Sequence, residues 1–424
     1  MLPAVHGSRH QDAEHGELMT ATLLTTQRTR QLERNVAIFY AMNLTIAAAF
    51  ISGNWIFFWL RVMTMGQLGV IDALAFAFGM LAEIPTGALG DVLGRRRTLI
   101  AAMLCGVVGW WVMGLADDVT ALVIGFLFTQ VSWAFYSGAG TALAYDSLLE
   151  LGGESRFERV ISRTHSYELL VNVVATWLGG LMYALHFRLP HLAWGALYLL
   201  AFVASLWLVE PQGGTQERFS WRRYLAQFGA GFRELSQAKL RYFVVLFFVG
   251  LGVNFIVTTG LIMPAMAISF GYNADAQAAL FGVLGVLAAL GTASVPWVRQ
   301  RLSDLGYAAL IGLVLGVGAL LTALPLGAWG FLALGLLRVS GAMANPLMFI
   351  VVNREIPSEN RATTLSTMAM LTKIPYVFTA MLAGAMIENE AFALFNLGIA
   401  GFAVGVVGLV WVLWGLRRLR HNLR

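Results

Sequence analysis

The sequence has few charged residues. Asp, Glu, Lys and Arg make up only 12% of its 424 residues, whereas soluble domains typically carry about 25%. Hydrophobic residues account for 58% of the chain. A soluble fold of this length has no core large enough to hide so much apolar surface, so the composition predicts a polytopic membrane protein.

Cysteine is almost absent as well. The single cysteine, Cys105, lies within an apolar run, which excludes a disulfide framework and a cysteine-based metal site. The sequence also lacks a phosphate-binding loop, metal-ligand spacing and a nucleophile elbow. We therefore expect no enzyme activity, no cofactor and no metal. Residues 1–35 are polar, without the apolar core of a signal peptide, and we expect a cytoplasmic N-terminal tail there.

Long apolar runs are abundant. Twelve segments approach or exceed the roughly 20 apolar residues that a membrane-spanning helix needs, and they predict an all-α fold of two pseudo-symmetric six-helix bundles. The predicted spans lie near residues 36–60, 66–90, 98–116, 119–148, 164–187 and 192–209 in the first half, and near 242–269, 277–298, 306–324, 327–352, 363–387 and 392–416 in the second.

The positions of the basic residues predict the topology. With the N-terminus inside, 24 of the 28 Lys and Arg residues fall in the tails and inside loops. Arg61 and Arg188 fall outside, and Arg338 and Lys373 fall within the membrane. We therefore expect both termini on the cytoplasmic side of a prokaryotic cytoplasmic membrane. Because the basic residues are spread over short loops, no nucleic-acid-binding face is expected.

A long central loop, residues 210–241, separates the halves. Its apolar residues recur at helical spacing against Arg222, Arg223 and Arg233, which predicts an amphipathic helix on the cytoplasmic interface. The predicted domains are therefore bundles at 36–209 and 242–416, with a basic cytoplasmic tail at 417–424. The halves share short similar stretches beginning at Ser137 and Ser340. Internal repeats are typical of transporters, although a match this short can also arise by chance.

The stretch "EIPTGALGDVLGRRR", residues 83–97, follows the second apolar run. It resembles the signature loop G-x-L-x-D-x-x-G-R-R of the major facilitator superfamily, and it lies between the second and third helices, where that family keeps it. The EIPTG sequence is similar to a poorly characterised prokaryotic branch of the family. The resemblance covers essentially the whole chain. It implies a monomer in the lipid bilayer that binds a small-molecule substrate and protons.

The same resemblance implies a gating latch on the cytoplasmic side. In the family, the aspartate of the loop meets the start of the eleventh helix, and its first arginine pairs with an acid at the end of the fourth. Glycines let helices approach closely, and an aspartate suits the partial positive charge of a helix N-terminus. The matching residues here are Gly87, Gly90, Asp91, Gly94, Arg95, Arg96 and Asp146.

The resemblance also implies a central cavity, lined mainly by helices 1, 4, 7 and 10. The candidates are polar, charged or aromatic residues that share faces of these helices or lie on helix 11. They are Asn43, Asn54, Gln130, Trp133, Asn254, Thr258, Arg338, Asn345, Lys373 and Tyr376. The alternative for the uncharged members is a structural role, because single polar residues often join membrane helices.

Charged residues within the membrane are stronger candidates. An ionisable side chain near the bilayer centre costs on the order of 3 kcal/mol on insertion scales. Arg338 and Lys373 therefore suggest a substrate with an anionic group, unless they form buried ion pairs with Glu83, Asp72 or Glu168. The same three acids are the candidates for proton coupling, with Glu83 first.

The combined features predict a secondary active transporter. It would move a small organic solute, anionic if the two cations face the cavity, by rocker-switch alternating access coupled to protons. Three alternatives remain: a drug or metabolite efflux antiporter, a lipid or lysolipid flippase, and a non-transporting membrane sensor. The fifth helix lacks the Gly-Pro signature of drug-export antiporters, which counts against the first of these.

Overall fold

The chain folds into helices. A computed structural model describes residues 7–212, 221–237, 258, 260–356 and 358–422, with side chains from residue 26 onward except for 83–92 and shorter stretches of the second half. Within these ranges no residue forms a strand. The predicted all-α polytopic fold is therefore confirmed.

The first half contains seven helices before the central loop. They are α1 (Gly7–Ala47), α2 (Trp55–Trp59), α3 (Met65–Leu93), α4 (Arg95–Leu115), α5 (Val119–Glu150), α6 (Phe157–Leu185) and α7 (Leu189–Ser205). The predicted helix in the central loop is present as α8 (Trp221–Leu235). It packs against the eleventh predicted span.

The described part of the second half contains six further helices. They are α9 (Ile262–Ser269), α10 (Ala274–Arg299), α11 (Asp304–Thr322), α12 (Gly330–Glu355), α13 (Ser358–Glu388) and α14 (Phe392–Asn422). Helix α9 is the end of the predicted seventh span, whose residues 242–257 lie outside the described ranges.

Nine of the predicted spans are recognisable by their length and hydropathy. Six helices among the described residues are long and apolar enough to cross a membrane, and three more are apolar but shorter. The other three predicted spans are the first, the seventh and the eleventh. The eleventh span corresponds to α13.

The first predicted span, residues 36–60, is not continuous. Helix α1 ends at Ala47, residues 48–54 form turns, and the short helix α2 follows. The side-chain amide of Asn54 donates to the carbonyl oxygens of Phe50, at 3.3 Å, and of Gly179 on α6, at 3.0 Å. The first bond satisfies a carbonyl that the interrupted helix leaves open, and the second ties the interrupted segment to α6.

The bundle has two distinct ends. At the end that we call the basic end, Arg28 pairs with Glu150 at 2.7 Å and Arg156 pairs with Glu33 at 2.7 Å. At the opposite end lie the turns between α2 and α3, α4 and α5, α6 and α7, α9 and α10, and α13 and α14. There the Thr64 hydroxyl donates to Glu388 at 3.3 Å, which connects the two halves.

Candidate functional site

The two halves touch most closely where α3 crosses α13. Gly69 and Gly384 lie at this crossing, and a Cβ added to Gly384 would lie 2.6 Å from the carbonyl oxygen of Met65 and 2.9 Å from the Cα of Gly69. Such spacing leaves no room for a side chain. The halves are therefore closed against each other, backbone to backbone, near the opposite end.

A second closure joins the first half to α10. A Cβ on Gly180 would lie 2.6 Å from the Cβ of Ala278, and the interrupted segment places Gly53 against the backbone of the same alanine. Gly282 faces the ring of Trp177. The interruption at 48–54 thus lets the first span reach both α6 and α10.

A buried carboxylate joins three helices between these two closures. Asp72 on α3 is 3% exposed, and its Oδ2 accepts a hydrogen bond from the Tyr376 hydroxyl on α13 and one from the Leu261 amide at 3.3 Å. The Leu261 amide also lies 2.9 Å from the Tyr376 oxygen. Burial disfavours a charge on this carboxylate, and the two donors at one oxygen offset part of that cost.

Gly260 makes this arrangement possible. Its φ is +54°, and a Cβ there would overlap both the Tyr376 hydroxyl and the Asp72 carboxylate. Glycine adopts positive φ without the steric cost that other residues carry. The backbone therefore approaches the carboxylate closely only because residue 260 has no side chain.

A cavity of about 430 Å³ lies between the halves beside this network. Its apolar lining includes seven aromatic side chains, six from the first half and one from the second. They are Trp55, Trp59, Phe76, Trp110, Phe126, Trp194 and Phe281. Trp110 stacks on Trp194 with ring centroids 3.9 Å apart, and Trp59 meets Phe126 edge-to-face at 5.1 Å. Rings held in this way form rigid apolar walls.

Polar groups enter the cavity at a few points. Four of the sequence candidates line it: Asp72, Gln130, Thr258 and Arg338. Arg338 is the ninth residue of α12, about 12 Å from the start of that helix. Among the described residues, no hydrogen bond or ion pair involves its guanidinium group. The guanidinium of Arg338 is therefore unpaired among the described residues, although the Asp72 carboxylate lines the same cavity.

Other candidates lie away from the lining. The amide of Asn43 donates to Phe39 of its own helix at 2.8 Å, and Asn54 is fully buried in the bonds already described. Trp133 is 49% exposed. Lys373 is half-buried on α13. Tyr376 does not line the cavity but holds Asp72, which does.

Several candidates lie outside the described residues. They are Asn254 and the side chains at Glu83, Gly87, Gly90, Asp91 and Asn345. The third predicted proton acid, Glu168, is partly buried on α6, 3.5 Å from His165, and does not line the cavity.

One contact of the predicted latch is present at the basic end. The Arg95 Nε lies 3.8 Å from the Asp146 Oδ2. Glu210, which the sequence assigned only to the central loop, caps α4: its carboxylate accepts from the backbone amides of Arg95 at 2.7 Å and Arg96 at 2.8 Å. Gly94, with φ +84°, is the N-cap that leaves room for this carboxylate.

Further residues of the site were not predicted from the sequence. Asn172 and Thr176 on α6 line the cavity one turn apart, and Gly260 shapes the carboxylate contact. The i, i+4 spacing of Asn172 and Thr176 is a signal that could have identified them. No comparable signal marks Glu210 or Gly260, because their roles depend on residues distant in sequence.

Comparisons with known proteins agree with this architecture. The sequence profile of the Major Facilitator Superfamily matches residues 35–380. The tetracycline resistance protein, class C, of Escherichia coli is 22% identical over 329 residues, which is 75% of this chain and 80% of that protein.

Solved structures are similar over nearly their full length. A mutant of the nucleoside transporter NupG superposes with a TM-score of 0.72 at 15% identity, over 91% of this chain and 99% of that one. The D-xylose-proton symporter superposes with a TM-score of 0.62 at 15% identity, over 88% and 96%. At sequence identities this low, the similarity shows a shared fold.

Proposed function

Because the chain belongs to the Major Facilitator Superfamily, a family of membrane transporters, we propose that it is a secondary transporter for a small organic anion with an aromatic or otherwise flat apolar body. It moves this solute across the prokaryotic cytoplasmic membrane by alternating access. The basic end faces the cytoplasm, in accordance with the distribution of Lys and Arg.

The observation that carries the proposal is the guanidinium of Arg338 in the cavity between the halves. A charge at this depth is costly to insert and is retained where it has a function. Its planar donors match a carboxylate or phosphate group. A bound anion would supply the counter-ion that the described residues do not provide.

The walls of the cavity favour the apolar part of such a solute. Tryptophan and phenylalanine rings offer large, flat contact areas, and the stacked pair of Trp110 and Trp194 leaves little freedom to reshape the pocket. Gln130, Asn172 and Thr176 add a few uncharged hydrogen-bonding groups. This mixture is typical of small-molecule sites.

Asp72 is the proposed coupling residue. Its two donors, Tyr376 and Leu261, belong to the other half, so separation of the halves at the opposite end removes both. The carboxylate then meets water from the outside and takes up a proton there. When the halves close again, burial favours the neutral carboxyl, so the proton is carried inward and leaves once the cavity opens to water at the basic end.

Substitution of Arg338 tests the anion site. We expect Arg338→Gln to abolish anion binding while leaving thermal stability equal or higher, because the variant no longer buries an isolated charge. Binding is measured on purified protein by thermal shift and counterflow with a panel of aromatic carboxylates and phosphates. Arg301→Gln, at an exposed arginine that lies over the Trp297 ring, is the control. Unchanged anion affinity in Arg338→Gln would overturn the proposal.

A second candidate function is efflux of aromatic drugs. The aromatic lining of the cavity favours it, as does the similarity to a tetracycline resistance protein. The same panel therefore includes tetracycline and a lysophospholipid. Equal binding of tetracycline or of the lysophospholipid to wild type and Arg338→Gln would support efflux of drugs or lipids instead.

A further inference from the structure

A second cavity lies at the basic end, away from the central one. It is a groove of about 400 Å³ between α1 and α6, which we call the arginine groove. Each helix contributes one face with the same spacing of i, i+3, i+4 and i+7. The lining residues are Glu33, Val36, Ala37 and Tyr40 from α1, Arg156 at the N-cap of α6, and Arg159, Val160 and Arg163 from α6.

The charge of the groove is unbalanced. Arg156 is paired with Glu33 through two hydrogen bonds of 2.7 and 3.1 Å. The hydrogen bond from Arg156 lowers the pKa of Glu33, which therefore stays ionised. Arg159 and Arg163 are exposed and have no hydrogen bond or ion pair within the described part of the chain. Two positive charges thus remain uncompensated on one face of α6.

The groove continues into an apolar surface. Tyr40 forms its inner end, where the hydroxyl donates to the carbonyl of Val160 at 3.4 Å and the ring lies 6.3 Å from that of Tyr167. Beyond it, on the same face of α6 as Arg163, Tyr167, Leu170 and Val174 are 47%, 66% and 57% exposed. A positively charged groove followed by an exposed apolar stripe matches the division of a lipid into headgroup and acyl chain.

We propose that the arginine groove binds an anionic glycerophospholipid. The phosphodiester lies between Arg159 and Arg163, and an acyl chain follows the stripe from Tyr167 to Val174. Arginine donates to phosphate oxygens in a bidentate manner, and basic pockets between membrane helices on the cytoplasmic side suit acidic headgroups. The bound lipid would join α1 to α6 beside the pair of Arg156 and Glu33.

Native mass spectrometry on protein extracted from mixed vesicles tests the site. From equimolar phosphatidylglycerol and phosphatidylcholine, we expect wild type to retain phosphatidylglycerol preferentially. The double variant Arg159→Gln and Arg163→Gln should lose this preference by roughly tenfold, because each arginine near the surface attracts anionic lipid. The matched control is Arg30→Gln with Arg34→Gln, an exposed i, i+4 pair on α1 outside the groove.

Equal retention of phosphatidylglycerol by the two double variants would overturn the proposal. If the groove variant does not fold, Arg163→Lys replaces it: the charge stays but the bidentate geometry is lost, and a reduced preference is again expected. Inorganic phosphate is tested separately by thermal shift in detergent. Stabilisation by inorganic phosphate as large as that by phosphatidylglycerol would show a site for soluble anions and would contradict the lipid assignment.

Discussion

At the scale of single residues, one hydroxyl group carries a contact between the halves. Tyr376 donates to Asp72 across the interface, whereas the equally buried Tyr307 donates to Met343 within the second half, at 3.0 Å. The two tyrosines are thus alike in burial and bonding but differ in what they connect. They form a natural pair for experiment.

We expect Tyr376→Phe to shift the protein toward opening at the opposite end, because Asp72 loses one of its two donors. A cysteine introduced at Ser52, which lines the cavity, in a Cys105→Ala background reports this opening through its labelling rate with an impermeant maleimide added outside. Tyr307→Phe should leave the rate unchanged. Equal rates in both variants would show that the interface hydroxyl does not control closure.

The cap of α4 provides a stability prediction at the same scale. Glu210→Gln keeps the shape of the side chain but removes the charge that faces the helix N-terminus, at a cost of about 1 kcal/mol. We expect a lower thermal unfolding midpoint. Glu158→Gln, an exposed acid in the first turn of α6, should change the midpoint less. Equal decreases of the midpoint in the two variants would mean that Glu210 stabilises the protein through its charge alone and not through its position at the helix N-terminus.

At the scale of the elements, the crossing of α3 and α13 requires glycine on both helices. Gly384→Ala should reduce transport and leave the opposite end open more often, because the new methyl group would press against Met65 and Gly69. The same maleimide assay measures the opening. Gly398→Ala on α14 is the control, because nothing lies within 4 Å of a Cβ there. Tight closure despite Gly384→Ala would mean that the helices can separate without functional loss.

The elements also show how far sequence reasoning reached. Apolar runs sufficed for the helices because the bilayer imposes their length, and Arg338 was identified because a charge in such a run is conspicuous. The interruption at 48–54 was missed, since residues 46–51 are as apolar as a helix and the break depends on Gly179 and Ala278 far along the chain. The cap formed by Glu210 was also missed, because its partners Arg95 and Arg96 are far from it in sequence.

At the scale of the whole molecule, the proposed coupling rests on Asp72, whose two donors belong to the other half. We expect Asp72→Asn to retain exchange of substrate across vesicles but to lose accumulation driven by a proton gradient. The neutral amide cannot carry the proton. Counterflow and gradient-driven uptake in proteoliposomes separate the two activities. Glu168→Gln, at an acid of α6 that does not line the cavity, should retain both. Gradient-driven accumulation by Asp72→Asn would exclude Asp72 as the coupling residue.

The glycine crossing of α3 and α13 has a kinetic consequence. Glycine has no rotamers to order, so closing this contact sacrifices almost no side-chain entropy. Stripping water from the Asp72 carboxylate, by contrast, costs free energy on closing. Closure rates should accordingly depend more on solvent, for example on exchange of H₂O for D₂O, than on the bulk of the residues that surround the crossing.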